Sequence, residues 1–222
     1  MLRRALMAAA FALAATPAFA VTETQTVPVD KVFPFIGNYY GLKPADRAHF
    51  HLEYRLMPLG TPLSEVKLAI NGAPVSIGNG GVVSPLPSDA QVKAKAQITI
   101  TQPKGAKFGM SMMIAPNAAG STVDAAILNA SVTEAHNGAK SMAGLISFVV
   151  PDLDRVVAYG VTSGQVIMAN GQARALPFAP ATTGPKGGTR PAHVTYVPAD
   201  WPGARTVTFN AAPGMLSIEP KS

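Results

Sequence analysis

Two histidines and a glutamate alternate with apolar residues in the segment HFHLEYR, residues 49–55. In a β-strand this spacing places His49, His51 and Glu53 on one face, because successive side chains point to opposite sides of the strand. Imidazole nitrogens and carboxylate oxygens are common zinc ligands, and two histidines at this spacing can reach one ion. The segment therefore predicts a candidate metal site formed by His49, His51 and Glu53.

The same three residues have a second interpretation, as the polar side of a half-buried strand. Arg55 shares their face, and its positive charge opposes the binding of a cation. The intervening positions are apolar, as they are in a strand that covers a core. Both interpretations stay open on the sequence; we favour the polar face, and we expect no bound cofactor.

Motifs of nucleophilic enzymes are absent from the sequence. The chain has no cysteine, and Ser163 lies in GVTSGQ rather than in the Gly-x-Ser-x-Gly turn of hydrolases. We therefore favour a non-catalytic protein that binds a protein or a small ligand. The alternative is a small metal-dependent enzyme or hydrolase whose site is assembled only in three dimensions.

The first twenty residues have the three parts of a secretory signal peptide. Arg3 and Arg4 precede an apolar run that is shorter than the roughly 20 residues needed to span a bilayer, and small residues follow up to Ala20. We predict cleavage after Ala20 and export to the periplasm. No other stretch of the sequence is long and apolar enough to be an integral membrane segment.

The charge distribution excludes one class of partner. Without Arg3 and Arg4, the 18 basic and 12 acidic residues of the chain leave a net charge of +4. These charges are scattered, and no basic run alternates with aromatic residues, so we expect no nucleic-acid partner. The expected partner is an envelope protein, recognised at an exposed sheet edge, or a small ligand.

Short strands and turns dominate the pattern after residue 45. The 20 glycines, 20 prolines and 14% charged residues are typical of a chain with many turns. Asn71-Gly72 and Asn170-Gly171 each predict a hairpin between two apolar runs. After a lead-in over residues 21–44 with a possible short helix, we predict a β-sandwich-like domain over residues 45–116.

One main helix is predicted over about residues 122–143. Ser121 and Asp124 have the spacing of a capping box. Apolar residues then follow at steps of three and four, which makes one stripe on a helix: Ala125, Leu128, Val132, Ala135, Ala139 and Met142. Strand patterns follow, beginning with LISFVV at 145–150, and residues 117–222 form the predicted second unit. The fold class is mainly β with one main α-helix, an α+β fold in which the helix packs on a mainly antiparallel sheet.

The first half of the chain resembles a family of exported bacterial proteins of unknown function. The features that carry this resemblance are VFPFIGNYYGL, HLEYRL, INGAPVSI and LPSDAQVKAKAQITI, between Phe33 and about Pro116. The resemblance implies an exported domain. It implies no activity, cofactor or site residue.

Overall fold

A computed structural model of the chain describes residues 21–143, 151–183 and 188–221. The predicted signal peptide, residues 1–20, and the predicted strand at 145–150 lie outside the described residues, so both stay predictions. Within the described ranges, no helix has the length and apolar character required to cross a membrane.

The described residues 21–116 contain seven strands and three short α-helices. The strands are β1 (Thr22–Pro28), β2 (Phe50–Pro58), β3 (Lys67–Ile70), β4 (Ala73–Ile77), β5 (Val83–Ser84), β6 (Gln97–Pro103) and β7 (Phe108–Pro116). The helices are α1 (Val29–Val32), α2 (Ile36–Gly41) and α3 (Asp89–Lys93). Single 3₁₀ turns occur at Pro44–Arg47, Leu63–Glu65 and Asn79–Gly81.

The described part of the second half, residues 117–143, 151–183 and 188–221, contains the main helix and ten further strands. A short strand leads into the helix: β8 (Thr122–Asp124) and α4 (Ala125–Ala143). The strands after it are β9 (Leu153–Tyr159), β10 (Gly164–Met168), β11 (Ala173–Ala175), β12 (Phe178–Ala179), β13 (Thr182–Thr183), β14 (Thr189–Arg190), β15 (His193–Tyr196), β16 (Ala204–Phe209) and β17 (Met215–Pro220). A 3₁₀ turn lies at Pro198–Asp200.

Three larger sheets and two strand pairs form the β structure of the described residues. Their orders are β1-β6-β3-β4-β5, β11-β10-β16-β8 and β12-β15-β9-β17, with β2-β7 and β13-β14 as separate pairs. Every strand ladder is antiparallel. The predicted fold class, mainly antiparallel β with one main helix, is confirmed.

Both predicted hairpins are present. Asn71 and Gly72 have φ values of 48° and 81° between β3 and β4, as a two-residue hairpin with a positive φ at both central positions requires. At the second hairpin, the Met168 N–H donates to the Gln172 carbonyl across Gly171. These turns fix the strand registers that follow them.

The strand β2 shows the alternation expected from HFHLEYR. Phe50, Tyr54 and Leu56 are fully buried and Leu52 is nearly so, whereas the polar positions between them are half-buried. Buried side chains of β2 belong to one connected cluster with those of the five-stranded sheet, of α4 and of the C-terminal strands. Burying such a continuous apolar surface is the main driving force for folding. The division of the chain near residue 116 stays a prediction.

The main helix α4 begins three residues later than predicted. Thr122–Asp124 pair with β16 as a strand, so Ser121 cannot cap the helix. Asp124 takes that role, since its Oδ1 accepts a hydrogen bond of 2.8 Å from the Ala126 N–H. The predicted stripe is confirmed from Ala125 to Ala135, since Ala125, Leu128 and Ala135 are fully buried and Val132 is 7% exposed.

Several other elements differ from the prediction because their local signals are weak. Residues 21–28, expected to be a loose lead-in, form the edge strand β1, whose polar sequence lacks apolar alternation. The possible short helix is divided into α1 and α2 around Phe35, which has a φ of 65°. The prediction did not include α3, although Ser88 and Gln91 form a capping box at its start.

Aromatic side chains connect the α1–α2 segment to β2. Phe33 packs edge-to-face on Tyr54, with ring centroids 5.1 Å apart, and the Tyr54 hydroxyl donates to the Pro34 carbonyl oxygen. Tyr39 donates to the Phe50 carbonyl oxygen at 3.1 Å. Burial raises the pKa of the Tyr54 hydroxyl above its ordinary value of 10.0, because a phenolate in the core would lose its hydration.

Replacing Tyr54 with phenylalanine is expected to change how stability depends on pH. The raised pKa means that the folded state holds the phenol proton more tightly than the unfolded state does. The protonated Tyr54 therefore contributes fully to the free energy of unfolding below about pH 10, and this contribution is lost as pH rises further. At about pH 8 the variant loses one buried hydrogen bond, a cost of about 1 kcal/mol. Between about pH 10 and pH 12 its free energy of unfolding should fall less steeply than that of the wild type. Urea denaturation across this range measures both effects, and equal slopes would contradict the linkage.

Candidate functional site

The three predicted metal ligands lie along the half-buried polar side of β2, with His49 directly before the strand. His49 is tied to α4 by both its backbone and its ring. Its N–H donates to Glu134 Oε2 at 2.8 Å, and its Nδ1 lies 2.6 Å from Glu134 Oε1. The Ser131 hydroxyl donates to the His49 carbonyl oxygen at 2.6 Å. His49 therefore anchors the start of β2 to the helix.

The other two predicted ligands have different partners. Nδ1 of His51 lies 2.7 Å from the Asn117 side-chain oxygen. Glu53 accepts a 2.6 Å hydrogen bond from Arg55 Nε. Across the described residues, no group of three or more His, Cys, Asp or Glu side chains is arranged to hold a metal ion. The geometry thus gives the predicted metal site no support.

A cluster of charged side chains lies instead on the β12-β15-β9-β17 sheet. In β9, Val156 and Ala158 belong to the core, so Arg155, Val157 and Tyr159 face the other side. The strand registers extend this outer face across three strands. One row joins His193, Tyr159 and Met215, the next joins Thr195, Val157 and Ser217, and the third joins Arg155 to Glu219.

Part of this outer face, together with Arg190 of β14 and the end of the chain at Pro220 and Lys221, lines a cleft of about 280 Å³, which we call the cationic cleft. Its lining consists of Arg155, Val157, Arg190, His193, Thr195, Glu219, Pro220 and Lys221. Val157 is only 1% exposed although it faces away from the main core. The polar side chains above it therefore shield the floor of the cleft from water.

Two lining residues, Glu219 and Arg190, form a connected network with the neighbouring Tyr159. The Tyr159 hydroxyl donates to Glu219 Oε1 at 2.6 Å, and Arg190 donates to Glu219 Oε2 at 3.0 Å. The Arg190 guanidinium also lies 5.8 Å from the Tyr159 ring centroid, at cation–π distance. Through these contacts of Arg190, the strand pair β13-β14 is held against the outer face of the sheet.

The tyrosine in this network remains a hydrogen-bond donor at neutral pH. Burial raises the pKa of the Tyr159 hydroxyl, and the bond to Glu219 raises it further, whereas Arg190 lowers it. A neutral phenol therefore faces the Glu219 carboxylate. With both Glu219 oxygens engaged in this way, its charge is used to hold Arg190 and Tyr159.

Positive charge exceeds negative charge among the lining residues. Arg155 is held by both oxygens of Asp154, at 2.7 Å from Nε and 3.0 Å from Nη2, and this bond raises the pKa of Arg155. Lys221 is exposed and forms no ion pair with the described residues. Each guanidinium has five N–H donors, more than these contacts use. The cleft thus offers unused donors on positively charged groups.

The comparisons with known proteins do not identify the chain. Comparisons with protein-family models, with curated proteins and with solved structures find no match. The resemblance to a family of exported bacterial proteins therefore stays a prediction. The site has to be interpreted from its own geometry.

The cationic cleft is not apparent from the sequence, although one local signal for it is present. Arg155 and Tyr159 alternate with apolar residues in DRVVAYG, which places them on one strand face. Their neighbours His193 and Glu219 come from strands far along the chain, and only the strand register brings them together. Arg190 of β14 follows a glycine- and proline-rich stretch that shows no apolar alternation.

A larger groove of about 550 Å³ lies on the β11-β10-β16-β8 sheet. Small and uncharged side chains line it, among them Ser163, Gln165, Thr208 and Asn210. No ionisable side chain is among its lining residues. Of these two concave surfaces, only the cationic cleft combines ionisable groups with a shielded floor.

Replacing Glu134 tests the role of His49 as an anchor of β2. Glu134→Ala removes two acceptors from a partly buried site and is expected to lower the free energy of unfolding by about 2 kcal/mol. Glu134→Gln retains one acceptor and should lower it by about half as much. Chemical denaturation measures both, with Glu65→Gln as a control at an exposed glutamate. Equal stability of Glu134→Ala and the control would show that the contact contributes nothing.

Proposed function

We propose that this protein is an exported, non-catalytic protein of the bacterial envelope that binds a small anionic ligand in the cationic cleft. The observation that carries the proposal is the convergence of Arg155, Arg190 and Lys221 around one concave surface with a shielded floor. Arginine is suited to such a site because its planar donors match the oxygens of carboxylates and phosphates. The predicted signal peptide supports the periplasm as the location.

The arginines of the cleft are held in place before any ligand arrives. Asp154 fixes Arg155 through two hydrogen bonds, and Glu219 fixes Arg190. A held side chain loses less conformational entropy when a ligand binds, so more of the interaction energy contributes to affinity. This organisation favours recognition of a fixed arrangement of oxygens.

The size of the cleft limits the ligand. Its volume of about 280 Å³ lies near the lower end of the range for small-molecule sites. A compact anion, or the anionic end group of a larger molecule, fits this volume. Carboxylates and phosphates share the required chemistry, which is an oxygen anion with several acceptor positions.

The ionisable groups of the cleft favour binding over catalysis. A general base needs a free acceptor near the substrate, but both Glu219 oxygens already accept hydrogen bonds. His193 is 8% exposed, and its Nδ1 lies 3.0 Å from the Pro191 carbonyl oxygen. Glu219 is therefore not free to act as a general base, and the largely covered imidazole of His193 is oriented by the Pro191 carbonyl oxygen.

The alternative, a hydrolase or metal-dependent enzyme, has one supporting feature elsewhere. The His49–Glu134 contact resembles the histidine–carboxylate pair that orients a general base. The nearest hydroxyl in this contact, that of Ser131, is buried and lies 2.6 Å from the His49 carbonyl oxygen and 2.7 Å from the Ile127 carbonyl oxygen, so its one proton is shared between them. It is therefore not available as a nucleophile, and we favour the binding protein.

The proposal is tested with inorganic phosphate and with malonate as probe anions in isothermal titration calorimetry. Wild-type protein should bind at least one of them with saturation. Arg190→Gln and Lys221→Gln should each raise the Kd about tenfold, because each removes a charged donor worth about 1.4 kcal/mol or more.

The matched control is Arg205→Gln, which makes the same charge change at an exposed arginine outside the cleft. Its Kd should stay within about twofold of the wild-type value, since a distant exposed charge is screened. An equal loss in all three variants would indicate unspecific attraction. Absence of saturable binding to either anion by the wild type would contradict the proposed function.

A further inference from the structure

The strand β1 forms an open edge of the five-stranded sheet. It pairs with β6 on one side and is the terminal strand in the sheet order. The residues from Thr22 to Thr26 are exposed on both faces of the strand. Seven residues make it longer than β5, the strand at the opposite edge.

The hydrogen-bond pattern shows which backbone groups point outward. Lys104 N donates to Val21 O and Val29 N donates to Ala96 O, so the odd-numbered residues of β1 bond to β6. The N–H and C=O groups of Thr22, Thr24 and Thr26 therefore point away from the sheet. They have no backbone partner within the described part of the chain.

This edge lacks the features that usually prevent strands from pairing. Natural edge strands are protected by lysines, prolines, bulges or short length. Between Thr22 and Val27 there is no lysine, proline or register shift. The one charged residue, Glu23, accepts a 2.7 Å hydrogen bond from Gln102 on β6.

We propose that β1 pairs with β1 of a second copy of this chain, antiparallel and centred on Thr24. In this register Thr24 faces Thr24 of the second copy, and Thr22 faces its Thr26. Both copies then direct their outward groups at each other, which forms about six backbone hydrogen bonds. A register displaced toward the C-terminal end places Thr22 opposite Pro28, which has no N–H to donate.

The side chains of β1 fit this symmetric pairing. Glu23 faces Gln25 of the second copy, so no like charges meet. The threonine pairs would continue a ladder that already exists in the sheet, where Thr24 and Thr26 contact Thr101 and Thr99 through their hydroxyls at 3.2 and 3.3 Å. Self-complementarity of this kind is what a two-fold interface requires. It is the reason for choosing a second copy over an unrelated strand.

Disulfide cross-linking tests the proposed register, because the chain has no native cysteine. In Thr24→Cys the two sulfur-bearing residues face each other, with Cα atoms about 5.5 Å apart, within the range of a disulfide. The control Thr22→Cys lies on the same edge and is equally exposed. Its two cysteines are four residues apart along the paired strands, so their Cα atoms lie about 13 Å apart or more, beyond the range of a disulfide. Under mild oxidation, non-reducing gels should show mostly dimer for Thr24→Cys and at least about fivefold less for Thr22→Cys.

Sedimentation of the unmodified protein tests the association itself. The wild type should show a concentration-dependent dimer, and Thr24→Pro should be monomeric, because proline removes an outward N–H and leaves the β1–β6 ladder intact. An unchanged thermal midpoint would show that Thr24→Pro folds. Equal cross-linking at positions 22 and 24, or a wild type that stays monomeric up to about 100 μM, would overturn the proposal. Neither result bears on anion binding, since β1 contributes nothing to the cationic cleft.

Discussion

The packing of α4 against both halves of the chain is the interaction on which the rest of the structure depends. Leu128 and Ala135 bury one face of the helix, and the helix contacts β2 and β7 of the first half as well as β9 and β16 of the second half. The contact with β2 is so close that a Cβ at Gly138 would lie 3.0 Å from the Phe50 ring. A glycine inside a helix costs about 1 kcal/mol, and this close approach explains its presence.

The cationic cleft follows from the same packing. The strand β9 packs against α4, and its residues Val156 and Ala158 are buried in the core. The alternate residues of that strand therefore face outward, and Arg155 and Tyr159 are among them. The antiparallel register then places Glu219 on the adjacent strand, and the β13-β14 pair brings Arg190 above it. A binding surface thus arises on the side of the sheet that the core does not use. There the buried side chain of Val157 lies beneath charged side chains.

Sequence patterns predicted those parts of the fold whose signals are local. The alternation in β2, the stripe of α4 and the Asn71-Gly72 turn each depend on near neighbours, and each was found in the structure. The edge strand β1 was not predicted, because an exposed strand needs no apolar face and so carries no alternation. The candidate site was harder to predict, since Arg155, Arg190 and Glu219 are remote in sequence and converge only through strand register. Conversely, His49, His51 and Glu53 are close in sequence, yet each has a different partner.

The central claim, that the cationic cleft binds an anion, is tested most directly by NMR on ¹⁵N-labelled protein. The Nε–H signals of arginine report each guanidinium separately, so titrations with inorganic phosphate and with malonate distinguish the cleft from the rest of the surface, and the anion that binds is the one that counts. The account predicts saturable shifts for Arg155 and Arg190, with Arg174 and Arg205 unchanged. Similar shifts for all four arginines, or no saturable shift for any of them, would contradict it.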